Sequence, residues 1–136
     1  CTSIDVRVRK LYIDRCSDVR SCTSIDAQTY EYIMLGECSI TKAGRNRIYV
    51  YSGTTARTTV NFVSTIIYVD QYNEKDDAWD QIDAWSKDAE NDYFVSTSKY
   101  ISVDSGYYYR VRAEHFAGME YPYEEDYSFT DGIMIK

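Results

Sequence analysis

The chain has 136 residues, one domain's worth, able to bury roughly two-thirds of the surface its unfolded form exposes. Fifteen Lys+Arg against 22 Asp+Glu give a net charge of −7, which argues against electrostatic binding of nucleic acid. No apolar run approaches the ~18 residues of a membrane-spanning helix, and one proline with six glycines excludes collagen-like and linker chains.

The composition points to strands. Tyrosine supplies 15 residues against two Trp and four Phe, and Ser, Thr, Val and Ile are abundant, a usage that suits a pleated, half-buried surface. The expectation is an all-β chain, an antiparallel two-sheet β-sandwich of immunoglobulin/fibronectin III-like or jelly-roll-like type. Residues 1–27 read as a cysteine-bearing, strand-forming amino-terminal arm, and residues 28–136 as the β-sandwich domain. The chain starts at Cys1 without an initiator Met, the start expected of a processed mature form or a fragment.

In the arm, Ile4, Val6 and Val8 alternate with Asp5, Arg7 and Arg9, a strand with one apolar and one charged face. All four cysteines, Cys1, Cys16, Cys22 and Cys38, fall in the first 38 residues. Their spacing lacks the paired C-x₂₋₄-C of a zinc site, so disulfides of an exported protein are expected, with three complete connectivities open. Two bridges within the chain, or a bridge to a neighbouring copy, both fit. The pentapeptide Cys-Thr-Ser-Ile-Asp occurs at 1–5 and again at 22–26. A local duplication explains it, and so do two equivalent segments serving two equivalent sheet edges. A further reading makes Cys1 the lipidated first residue of a surface lipoprotein.

Strand signals follow at 28–35, 38–43, 47–51 and 58–70. In the longest run, Val60 and Phe62 share one phase while Val63, Ile67 and Val69 take the other, which suggests a bulge or a fully buried strand. Residues 70–92 carry nine acidic and two basic side chains. They fail the EF-hand pattern, yet two loops could converge on calcium through Asp76, Asp77, Asp88 and Asp92; a solvated hairpin is the plainer reading. No other cofactor is suggested.

Trp79 and Trp85 sit six apart, an even spacing that places them on one strand face as a candidate sugar-stacking platform, or as packing over the sandwich edge. Residues 93–103 and 107–116 continue the strand pattern, and a last strand is expected near 127–135. His115, the only histidine, keeps the phase of Tyr109, Val111 and Ala113, the place of a structural imidazole. No nucleophile elbow, P-loop, zincin or dinucleotide motif occurs, and a non-enzymatic role is expected.

The run Tyr107-Tyr-Tyr-Arg-Val-Arg-Ala113 with Gly118 resembles the late strands of fibronectin type III domains. From Cys38-Ser-Ile through Gly53-Thr-Thr, Trp79 to Trp85, Ser96-Thr-Ser-Lys99, Gly106-Tyr-Tyr-Tyr and Thr130-Asp-Gly-Ile133, residues 37–135 resemble an uncharacterised family of small secreted proteins of Gram-positive gut bacteria. That resemblance implies an extracellular or cell-surface location.

The function expected is a structural subunit that assembles with identical subunits into a surface filament or similar polymer, through strand donation by the arm and disulfide bonds. The alternative is a monomeric secreted module that binds a surface glycan or host protein. A hydrolase with a site assembled from distant loops is the weakest option.

Overall fold

A computed structural model describes the backbone of residues 21–23 and the whole of residues 30–136. The described residues form seven strands and no helix: β1 (Ser21–Thr23), β2 (Ile33–Lys42), β3 (Arg47–Asn73), β4 (Ala78–Ser102), β5 (Tyr107–Gly118), β6 (Glu124–Phe129) and β7 (Ile133–Ile135). All pairings are antiparallel and belong to one hydrogen-bonded sheet. The predicted arm, residues 1–27, lies outside the described residues except for the backbone of Ser21–Thr23.

Three pairs of predicted strands fuse, the runs at 28–35 and 38–43 meeting in the single β2. The runs at 47–51 and 58–70 become the single 27-residue β3, and those at 79–85 and 93–103 become the 25-residue β4. The Thr-rich link 54–59 contains no proline or glycine to break it, so the chain stays extended. The β3–β4 turn is set by Asn73, whose Oδ1 accepts the Lys75 N–H at 2.9 Å, and by Asp77 at φ 49°.

β3 organises the fold. Along one side it pairs with β4; along the other it pairs first with β2, through Ile48–Ala56, and then with β5, through Phe62–Gln71. Between these stretches the β3–β4 register slips between Thr55 and Val60, a bulge that bends the strand. The sheet therefore curls, and β2 comes to lie against β5 and β6.

The curl encloses two apolar clusters. One gathers Ile40, Ile48, Val50, Ile67, Val69 and Val111, and the other Ile33, Ala56, Val60, Val63, Val95 and Ala117. Each inward row runs apolar, polar, apolar: Ile48 and Val50, then Ser52 and Thr54, then Ala56; likewise Val63, Thr65, Ile67 and Ala117, His115, Ala113. A polar belt thus crosses the middle of the core.

The entrance to β2 is pinned from β6. The Glu124 carboxylate accepts the backbone N–H groups of Glu31, Tyr32 and Ile33 at 2.8, 2.8 and 2.9 Å. Charge-assisted bonds to three backbone donors stabilise more than neutral ones. Glu124→Ala is expected to cost about 2 to 3 kcal/mol in urea unfolding, with faster amide exchange at residues 31–33. Unchanged exchange there would contradict this role.

Candidate functional site

The belt's hydrogen bonds fix their own directions. Thr54 Oγ1 donates its only proton to the Ser64 carbonyl at 2.8 Å, so at 2.8 Å it accepts from His115 Nδ1. The neutral imidazole then carries its proton on Nδ1, and Nε2 accepts the Ser128 hydroxyl at 2.7 Å. Ser128 has thereby spent its only hydroxyl proton. The Ser52 and Thr65 hydroxyls are also bonded to each other.

Burial sets the chemistry of this chain. The His115 imidazole is driven down to about 3 and stays neutral, because desolvation disfavours its cation. Desolvation also pushes the Cys38 thiol up to about 12, far from the thiolate that reacts. A Ser–His pair at hydrogen-bond distance resembles a nucleophile and its base. Here His115 and Ser128 are 0% and 1% exposed, so no substrate reaches them, and the pair acts as core structure.

The outer face is different. One rung runs across four strands, Asp88 on β4, Ser64 on β3, Phe116 on β5 and Glu125 on β6. The 119–123 segment overhangs it and closes an open groove of about 450 Å³, lined also by Phe62, Tyr121 and Tyr123. Phe62 stacks on Tyr123 at 4.5 Å, and Tyr121 meets Tyr123 edge-on. Ser64 Oγ donates to Asp88. The groove offers aromatic faces with a carboxylate at each side, a lining suited to cations and to polyhydroxylated ligands.

Further along this face Asp70, 1% exposed, accepts from Arg110 Nε at 2.8 Å and Arg112 Nε at 2.7 Å. The two guanidinium groups lie over the rings of Trp79 and Tyr68, at 4.4 and 4.7 Å from their centroids.

Several sequence expectations are corrected. Trp79 and Trp85 do not share a face: Val69 pairs with Asp83 and Asp70 with Gln81, so Ile82 is an extra, bulged residue that reverses the alternation. Trp79 falls on the outer face beside Tyr72 and under Arg110. Trp85 falls on the inner side, packed against the core, with Nε1 donating to Thr97 and Lys99 Nζ 4.0 Å above its ring. Ile82 itself is 42% exposed.

The calcium set also separates. Asp76 and Asp77 lie in the β3–β4 turn, while Asp88 and Asp92 lie far along β4, roughly 30 Å or more away at the rise of an extended strand. Asp76 and Asp77 accept from Asn73 and Tyr72, and Asp92 accepts from the Tyr93 N–H. No group of three metal-ligating side chains occurs among the described residues.

Of the four cysteines expected in disulfides, Cys38 is a free, buried thiol. Cys22 stands opposite it in the β1–β2 ladder. Cys1 and Cys16, like Ile4, Val6 and Val8, lie outside the described residues. His115 occupies the core position its alternation predicts. The groove was missed: its rung joins residues up to 61 positions apart, and only the registers reveal it.

Comparison with family models, with curated proteins and with solved structures finds no match to this chain.

Proposed function

We propose that this chain is an extracellular structural subunit that assembles with identical copies into a filament or similar polymer through its amino-terminal arm. One observation carries the reading. Among the described residues β4 pairs with β3 alone, which leaves the 25-residue strand with an open edge. Such an edge invites a strand from another chain. On this reading the curled sheet acts as a β-sandwich, one layer led by β2 and the other by β5 and β6. Burial withdraws Cys38 from cross-linking and leaves Cys1, Cys16 and Cys22 as the residues that tie neighbours together. The sealed Ser128–His115 pair favours a non-enzymatic role.

Light scattering on unreduced and reduced protein tests this. A polymer with a covalent ladder on non-reducing gels supports the reading, and a 15.9 kDa species under both conditions overturns it. The aromatic groove favours a second reading, a monomeric module that binds a glycan or host protein. Calorimetric titration of the monomer with candidate glycans tests that one.

A further inference from the structure

The open edge of β4 is long, and its chemistry is specific. Asp88 and Glu90 lie two residues apart, both exposed, on the outer side that carries Ser64 and Phe62. On the other side Trp85 and Ala89 are partly buried and pack on the two core clusters. The edge therefore has an acidic outer row and an inner row in which exposed Lys87 stands between Trp85 and Ala89. A second β4 cannot pair with it comfortably, since the carboxylates would oppose each other.

The sequence contains a segment of complementary pattern. In residues 4–9 (Ile-Asp-Val-Arg-Val-Arg), Arg7 and Arg9 share one strand face and Ile4, Val6 and Val8 the other. Laid beside β4, a strand with this pattern has the same two-residue pitch as Asp88 and Glu90. Aligned in parallel so that Arg7 meets Asp88 and Arg9 meets Glu90, such a strand puts Ile4 beside Trp85, Val6 beside the stem of Lys87 and Val8 beside Ala89. Asp88 also lines the aromatic groove, where a guanidinium gains from ring faces as well as from charge.

We infer that residues 4–9 of a second copy of this chain add to the outer edge of β4, with Arg7 and Arg9 paired to Asp88 and Glu90. The inference rests on the assembly reading above and names its acceptor. A second copy is the donor on that reading. Residue 21 opens β1, and β1 and β4 are opposite ends of the run β1-β2-β3-β4. Donor and acceptor on opposite edges make a head-to-tail contact, which propagates rather than closing on itself.

Charge exchange in the full-length chain tests the pairing by light scattering. Asp88→Lys with Glu90→Lys, and separately Arg7→Glu with Arg9→Glu, each turn two attractions into repulsions. Each pair is expected to raise the concentration needed for assembly about tenfold or more. All four changes together are expected to restore it. Glu90→Lys alone, at an exposed residue, gives a partial loss and guards against misfolding of the pair, which circular dichroism also checks. Reversed acceptors that assemble like the original protein would overturn the inference while leaving self-assembly standing, as would a fourfold variant that is not restored. An unaltered chain that stays monomeric removes the assembly reading itself, and this inference with it.

Discussion

Replacing Gly36 by alanine is expected to destabilise the fold by about 3 to 5 kcal/mol in urea unfolding, more than most single added methyl groups. An ideal Cβ at Gly36 falls 2.4 Å from His115 Cδ2, 2.6 Å from Cγ and 2.9 Å from Nε2. The ring cannot retreat, because its two nitrogens are held by Thr54 and Ser128 and the residue is fully buried. Relief requires either a shift of β2 or the loss of a buried hydrogen bond. His115→Ala in the same chain empties the site, so the double variant is expected to lose less than the sum of the two single costs. Strict additivity would mean that glycine and ring do not meet.

The second large effect is on acid stability. His115 is folded in its neutral form at about 3 against 6.5 for the free side chain. Below 6.5 the unfolded chain takes up a proton that the folded chain refuses, so stability is complete above that value and falls with pH. At about 1.4 kcal/mol per pH unit, roughly 2 kcal/mol is lost by pH 5 and about 5 by pH 3. The chain has one histidine, and the window from pH 7 to 5 isolates it from most carboxylates. Glu37, raised by burial, acts in the opposite sense, since its contribution belongs to the protonated form and is lost as pH rises through its folded value. Urea midpoints at pH 7 and 5 are expected to separate for the original protein and to converge for His115→Gln. An equal separation in both would show that the imidazole is not the cause.

What the sequence makes legible here follows from strand periodicity. Tyr109, Val111, Ala113 and His115 alternate cleanly, and their inward placement can be read from the chain alone. The polar belt was also open to inspection, because Ser52, Thr54 and Thr65 interrupt inward apolar rows. Their meaning depends on register, which sets His115 against Thr65 and Cys38 against Ser52.

The bulge at Ile82 lies beyond such reading. One extra residue on a strand leaves composition and propensity unchanged while it reverses every side chain beyond it. That single residue separates Trp79 from Trp85. The four carboxylates of the calcium alternative separate for a related reason: near in sequence, they belong to a fully extended hairpin, and extension keeps them apart.

The acidic edge acquires its meaning only in this geometry. As composition, residues 70–92 are a solvated charge run. As structure, Asp88 and Glu90 line the outer side of a strand that has one partner among the described residues. The most direct measurement of the central claim is sedimentation velocity of the unaltered, full-length protein over a wide concentration range. Head-to-tail strand donation predicts a distribution of lengths that grows with concentration, whereas a single species of 15.9 kDa at every concentration would contradict it.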